Sequence, residues 1–205
     1  TVAFIRGINA AINKAKARFL DTPIRILYAG CGPFASLLLP LLTRFNASEL
    51  ELRFLDIHAC SLDSVRQLIE CLGFEHSVSF VQADACRYQT MDDFHLVVAE
   101  TMQKSLEQEP QFTVTANLVS TVCDGGFFIP ESINVSLCLA YLENEQLAFK
   151  AGELAEAASL FEKGRRLFLA TLLDLRADNA VHLFNRAKIS VVTRKNELSP
   201  VYFVI

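Results

Sequence analysis

The spacing of apolar residues along the chain predicts short strands that alternate with helices. Residues 1–19 place apolar side chains at helical spacing, and these are Ile5, Ile8, Ile12 and Ala15. Strands are expected in four apolar runs, at residues 24–30, 51–57, 77–84 and 94–100. Further helices are expected at residues 34–45, 61–73 and 110–122. This alternation favours an α/β fold, a mostly parallel sheet with helices on both faces.

Two of the predicted helices carry local signals at or near their ends. In the helix 34–45, Pro40 would cost about 3 kcal/mol in a helix interior, so a break or kink is expected near Leu39. In the helix 61–73, Ser61 is the expected N-cap and Gly73 the expected C-cap.

The pattern changes in the last third of the chain. Residues 125–142 predict a loop that leads into one long strand, and the alanine-rich stretch 145–167 predicts a helix. Short strands are expected after it, at residues 170–175, 180–184, 188–193 and 201–205. We therefore place a domain boundary near Ile133. The α/β domain is expected over residues 1–132, and a small β-rich C-terminal extension with one helix over 133–205.

Composition and charge exclude several classes of protein. The chain has 205 residues and a formal charge of −4 with no long basic run, so we expect no nucleic-acid partner. The most apolar stretch, 34–42, is far shorter than the about 20 residues that a membrane helix needs. The six cysteines are scattered without metal-ligand spacing, so we expect reduced core residues, no metal site and a cytoplasmic protein. No secretory signal is expected at the start of the chain.

Glycine or an acid lies at the end of each of the four predicted strands. Gly30 and Gly32 are at the end of the first, Asp56 of the second, Asp84 of the third and Glu100 of the fourth. Because parallel strands end at one edge of a sheet, these residues predict an acid-lined pocket there. The spacing of Gly30, Gly32 and Ala35 also fits the dinucleotide fingerprint. However, a dinucleotide pyrophosphate is anionic, and a ligand with a cationic centre, a ribose and an adenine fits acids better.

The segments around these strand ends resemble the motifs of class I methyltransferases, which bind S-adenosylmethionine (SAM). They are "LYAGCGPFA", "LRFLDIH", "VQADACRY" and "LVVAETM", and the resemblance covers residues 24 to about 132. It implies a Rossmann-like domain. It also implies that a glycine loop passes under the methionine part, formed by Ala29, Gly30, Cys31 and Gly32. Asp56 would hold the ribose hydroxyls beside Ile57 and His58, and Asp84 with Ala85 would lie near the adenine amino group.

A narrower resemblance follows the fourth strand. The segments "AETMQKSLEQEP" and "GGFFIPESI" are similar to the protein arginine methyltransferases, which carry two glutamates nine residues apart and then a G-G-x-x-x-P segment. This implies Glu100 and Glu109 as catalytic carboxylates, with Glu100 also at the cofactor. Two carboxylates can grip a guanidinium through paired charge-assisted hydrogen bonds.

The sequence therefore predicts a SAM-dependent methyltransferase whose acceptor, on a small molecule or a protein side chain, is unidentified. A cationic nitrogen and a neutral acceptor both stay open. Two alternatives stay open. One is an NAD(P)-dependent oxidoreductase, and the other is a catalytically inactive methyltransferase fold that serves as a binding subunit. A homodimer is also left open as the assembly.

Overall fold

The computed structural model describes residues 2–74, 77–101, 110–140 and 166–185. Of these, residues 2–132 and 176–185 belong to one compact unit, and residues 133–140 and 166–175 belong to a second. The domain boundary near Ile133 stays a prediction. None of the helices in the described ranges has the length and apolar character needed to span a bilayer.

The first unit is built on a five-stranded parallel sheet with the order β3-β2-β1-β4-β5. Its strands are β1 (Ile24–Ala29), β2 (Leu50–Asp56), β3 (Val78–Gln82), β4 (Phe94–Ala99) and β5 (Val122–Ile129). The first four lie where the apolar runs predicted them. This arrangement confirms the expected α/β, Rossmann-like fold.

Helices cover both faces of the sheet, as predicted. They are α1 (Val2–Arg18), α2 (Leu39–Leu42), α3 (Ala59–Leu72) and α4 (Gln111–Leu118), and a 3₁₀ turn (Val119–Thr121) follows α4. One core cluster joins α1 and α3 to the side chains of Ile24, Ile26 and Tyr28. A second cluster joins α4 to Leu27 and Ala29. Because side chains alternate along a strand, β1 supplies apolar groups to both clusters, which explains its nearly continuous apolar sequence.

The helix predicted over residues 34–45 is much shorter in the structure. Only Leu39–Leu42 is helical, and Pro40 lies in its first turn, where the missing N–H of proline costs nothing. Residues before it form a loop in which Ala35 has a φ of 39° and its carbonyl accepts hydrogen bonds from the amides of Leu38 and Leu39. Leu39 is the first residue of α2, so no helix is interrupted there. The helix predicted over residues 34–38 and 43–45 was wrong.

Of the two caps predicted for α3, the C-cap was confirmed and the N-cap was wrong. Gly73 ends the helix with a φ of 72°, a conformation that favours glycine. Ser61, however, is not the N-cap. The helix begins at Ala59 after His58, and Ser61 is buried within the first turn.

The stretch 125–142 was predicted as a loop that leads into one long strand. The long strand is present as β6, but the loop was wrong, because residues 125–129 belong to β5. Residues up to Ile129 complete β5, and β6 (Ser132–Ala140) follows the cis peptide bond at Pro130. The two glycines lie in a bulge of β5, because the register against β4 jumps between Val122 and Phe127. Gly125 adopts a φ of 75° there.

The second unit contains a two-stranded sheet of β6 and β7 (Arg166–Arg176).

The strand predicted at 170–175 is part of β7. Residues 180–185, in contrast, are helical, so the strand predicted at 180–184 was wrong. The helix predicted at 145–167 lies outside the described residues except for its last two positions, which begin β7. The strands predicted at 188–193 and 201–205 also lie outside the described residues.

Candidate functional site

A cavity of about 520 Å³ lies at the carboxyl edge of the parallel sheet. It includes the point between β1 and β4 where the chain connections turn in opposite directions, which is the usual ligand site of open α/β sheets. Its size falls within the roughly 300–1,000 Å³ of small-molecule sites. The residues that line it are Gly30, Gly32, Pro33, Leu55, Asp56, Ile57, His58, Ser61, Ala83, Asp84, Ala85, Glu100, Thr101, Pro110 and Val114.

Most of the predicted site residues lie together in this cavity. Two of the others are close but do not line it: Ala29 is the last residue of β1 and Cys31 is buried behind the loop. Glu109 lies outside the described residues. Sequence reasoning assigned no role to α4 or to the residue before it. Yet Val114 and Pro110 both line the cavity.

Asp56 is fixed by backbone hydrogen bonds at the end of β2. It is the last residue of β2 and only 8% exposed. Its Oδ2 accepts the Gly32 amide N–H at 2.9 Å, and its Oδ1 accepts the His58 amide N–H at 2.9 Å. A carboxylate offers about four lone-pair positions, so Asp56 keeps acceptor capacity for a ligand. The two backbone bonds hold its plane in place without exhausting it.

The two glycines of the loop after β1 have different neighbours. Both have positive φ values, 74° at Gly30 and 58° at Gly32. A Cβ at Gly30 would lie 2.7 Å from the Glu100 carbonyl oxygen, so this glycine permits close packing of β1 against the chain after β4. A Cβ at Gly32 would meet no protein atom within 4 Å. Gly32 therefore leaves space at the cavity surface that a ligand can approach.

Two buried groups next to the acids stay neutral at physiological pH. Burial, with the Asp56 charge, raises the pKa of the Cys31 thiol to about 12. The thiol donates to Asp56 Oδ2 over 3.9 Å. Burial, with the charge of Glu100, also raises the pKa of Tyr28 above its usual range. Because only the thiolate is a good nucleophile, Cys31 is an inert part of the site.

The side of the cavity formed by Asp84 and Ala85 belongs to the segment that joins β3 to β4. Asp84 Oδ1 accepts the Cys86 amide N–H at 2.9 Å in a local turn. From α4, Asn117 Nδ2 donates to the carbonyls of Ala85 and Tyr88, both at 2.9 Å.

Arg53 of β2 holds the next part of the same segment. Its Nη1 donates to Tyr88 Oη at 3.1 Å and to Asp92 Oδ2 at 2.6 Å. The connection therefore has a fixed path although it contains no helix.

The opposite side is formed by Glu100 and Thr101 at the end of β4. The Glu100 amide N–H donates to the Ala29 carbonyl at 3.3 Å. The Thr101 amide N–H and hydroxyl both donate to Oε1 of Gln111, at 2.8 and 2.7 Å. In this way Glu100 is held between β1 and the first residue of α4.

The chemistry of the cavity matches an adenosyl ligand. Asp56 keeps one acceptor position, on Oδ1, for a ribose hydroxyl. The apolar side chains of Leu55, Ile57 and Val114 offer a surface for a flat ring. The acids favour a cationic centre over an anionic one. Among the residues that the structure describes, no group of three histidine, cysteine or acidic side chains could hold a metal ion.

No protein-family model matches the chain, and no curated protein matches it. Solved structures that are similar to it include a SAM-dependent methyltransferase from Geobacter sulfurreducens in complex with S-adenosyl-L-homocysteine (TM-score 0.48, 17% identity, 72% of this chain and 53% of that one). Another is the Trypanosoma brucei PRMT1 enzyme–prozyme complex with AdoHcy (TM-score 0.46, 16% identity, 67% of this chain and 43% of that one). A third is the [4+2]-cyclase SpnF (TM-score 0.45, 18% identity, 60% and 43%). The chain spans about half the length of these structures.

Proposed function

We propose that this chain is a SAM-dependent methyltransferase that binds its cofactor in the cavity at the carboxyl edge of the sheet. The observation that carries the proposal is Asp56, buried at the end of β2 and fixed by the amides of Gly32 and His58. A carboxylate held this rigidly, with one acceptor position left for the cavity, is suited to a ribose hydroxyl.

Each part of the cofactor has a matching surface in this proposal. The methionine part would lie over Gly32, where a Cβ would meet no protein atom. The adenine would lie against Ile57 and Val114, with its amino group directed to Asp84. Fixed groups of this kind lose little freedom when a ligand binds, which favours affinity.

The bound cofactor would supply an electrophilic methyl group on a sulfonium sulfur. The acceptor nitrogen would form a bond to the methyl carbon and lose one proton to solvent, while the sulfur would keep the electrons of the broken S–C bond and leave as S-adenosylhomocysteine (SAH). The residues of the chain contribute position and charge rather than covalent chemistry. Glu100, at the opposite side of the cavity from Asp84, would attract a cationic acceptor and aim its nitrogen at the methyl carbon.

The proposal also covers the methyl acceptor, the cellular location and the oligomeric state. The acceptor would be a nitrogen of a small molecule or a protein side chain, gripped by Glu100 together with Glu109. A cytoplasmic location and a homodimer also remain predictions.

Calorimetry on one sample of the full chain tests the proposal. SAM, SAH, NAD⁺ and NADP⁺ are titrated in separate runs, and we expect one-to-one binding of SAM and SAH and none of the dinucleotides. Binding of a dinucleotide instead of SAH would replace the proposal with the oxidoreductase alternative. Binding of SAM with no SAH produced from any of a guanidinium, an amine and a hydroxyl acceptor would favour a binding subunit.

A further inference from the structure

A fully buried amide side chain joins α4 to the end of β4. Gln111 is the first residue of α4, and its side chain is 0% exposed. Its Oε1 accepts the two hydrogen bonds from Thr101, and its Nε2 donates to the Ala99 carbonyl at 3.0 Å and to Thr115 Oγ1 at 3.2 Å. A glutamine amide has two acceptor positions and two donors, so its whole capacity is used.

These bonds reach both neighbours of Glu100. Ala99 precedes Glu100 and Thr101 follows it, so the amide spans the main chain of the acid. On its other side, the Glu100 carbonyl oxygen packs against Gly30, where a Cβ would approach it to 2.7 Å. The main chain of Glu100 is therefore confined between β1 and Gln111. A shift of Gln111 would change the position of two cavity-lining residues, Glu100 and Thr101.

The chemistry of Gln111 points to more than packing. Burying an amide costs free energy that the hydrogen bonds only offset, and an apolar side chain of similar volume would fill the same space. Glutamine has one effect that such an apolar residue lacks: its hydrogen bonds fix the position of the main chain to which they are made. That chain enters the undescribed segment 102–109 at Thr101, and α4 begins two residues after the segment ends.

We propose that Gln111 is a positioning residue, which fixes Glu100 and Thr101 at the cavity and thereby sets the affinity for the adenosyl ligand. This inference rests on the proposed function. Gln111 is not among the residues that line the cavity, so its effect must pass through the end of β4.

The test replaces Gln111 by glutamate, which keeps the shape and the Oε1 acceptor but loses the donor to Ala99. The ionised carboxylate faces the Ala99 carbonyl oxygen, and at about pH 9 we expect the Kd for SAH to rise at least about tenfold relative to the wild type. The protonated carboxyl can donate to Ala99 instead. The ratio of the variant Kd to the wild-type Kd should therefore fall as the pH is lowered in steps from about 9 to about 5.

Gln89→Glu is the matched control, because it makes the same chemical change at an exposed position on the segment between β3 and β4. Its Kd for SAH, measured by calorimetry over the same pH series, should equal that of the wild type. A Kd in Gln111→Glu that equals the wild-type Kd at every pH overturns the proposal. A loss of affinity that is the same at every pH also overturns it, because that would indicate general damage to α4.

Hydrogen exchange of the wild-type protein provides a measurement that needs neither ligand nor variant. The Thr101 amide should exchange slowly by NMR, because it donates to a buried oxygen. Rapid exchange overturns the positioning role even when the wild type binds SAH and Gln111→Glu fails to fold. A wild type that binds neither SAH nor SAM while its Thr101 amide is protected overturns the proposed function instead.

Discussion

At the scale of single residues, Asp56 combines a structural contact with a predicted ligand contact. Asp56→Asn keeps the size of the side chain but removes its charge and one acceptor oxygen. We expect SAH binding to weaken by about 1.5–3 kcal/mol, the range for a hydrogen bond to a charged group. Calorimetry measures this loss, and Asp63→Asn on the exposed face of α3 is the control that should bind normally. Equal affinity in Asp56→Asn and wild type would refute the ribose assignment.

Gly32 and Gly73 form a matched pair for a second prediction. Both have positive φ values, and at neither would a Cβ meet a protein atom within 4 Å. Alanine at either position should therefore cost a similar about 1–2 kcal/mol of stability. Only Gly32→Ala should also lose affinity for SAH, because only Gly32 lines the cavity.

Denaturant melts and calorimetry on the two variants measure the stability and affinity effects separately. Gly30→Ala should lose more stability than either, since its Cβ would press on the Glu100 carbonyl. If Gly32→Ala binds SAH as well as Gly73→Ala does, the glycine at position 32 serves the turn alone.

The sequence could predict the acids of the site but not what holds them. Asp56, Asp84 and Glu100 each follow an apolar run, so the edge they share follows from parallel strands alone. Gln111 carried no such signal. Its role depends on where α4 returns to the sheet, which residue spacing does not encode. Cys31 lies within the glycine motif, yet its side chain turns away from the cavity.

At the scale of elements, the errors of prediction have identifiable causes. Gly125 and Gly126 are typical of a loop, but in β5 they form a bulge whose flanking residues still pair with β4. Pro40 is typical of a helix break, but it lies in the first turn of α2, where proline is tolerated. In both cases the residue type correctly indicated an irregularity of the backbone, and the neighbouring element determined which kind of irregularity it is.

β4 also carries a histidine that should make stability depend on pH. His95 is 7% exposed, stacks on Phe19, and accepts the Arg25 amide N–H on Nδ1 at 3.0 Å. Burial, with the Arg25 charge, lowers the pKa of His95, although Glu51 acts in the opposite direction. The unfolded chain therefore binds the proton more tightly. The stability that neutral His95 contributes is fully present above its unfolded pKa, near 6.5, and is lost as the pH falls from that value through the lower pKa of the folded protein.

His95→Gln is the variant that isolates this effect, since it keeps an acceptor for Arg25 but does not titrate. Urea melts between about pH 5 and about pH 8 should show a smaller slope of stability against pH in the variant than in the wild type. The difference is at most about 1.4 kcal/mol per pH unit for one proton. Identical slopes would show that His95 does not titrate with unfolding.

At the scale of the whole molecule, the alternation of strands and helices was sufficient to predict the parallel sheet, because three of its four strand pairs join strands that are consecutive in the sequence. The fourth pair, β1 with β4, does not follow from this alternation, since β2 and β3 lie between the two strands along the chain. The two-stranded sheet of β6 and β7 was not predictable in the same way. Its strands are separated by 25 residues of chain, and their pairing depends on contacts that apolar spacing does not reveal. The same limit applies to Glu109, whose predicted role rests on its nine-residue spacing from Glu100.

The acceptor is the remaining question for the molecule, and the two glutamates offer a direct test of it. Glu100 directly follows β4, so the sheet fixes its position for any acceptor. Glu109 should matter only for a cation that two carboxylates can grip. With a guanidinium acceptor, we expect Glu100→Gln and Glu109→Gln each to lower kcat by about 100-fold, as expected when a fixed electrostatic contact is removed. The affinity for SAM should change far less.

SAH release with guanidinium, amine and hydroxyl acceptors measures these rates, and Glu70→Gln on the exposed side of α3 is the control. Impairment of Glu100→Gln alone would indicate a neutral acceptor, because the second carboxylate would then have no cation to hold. Full activity of both variants would refute the paired grip. The acceptor nitrogen would in that case be oriented by groups other than these two carboxylates, and the acids of the cavity would serve the cofactor only.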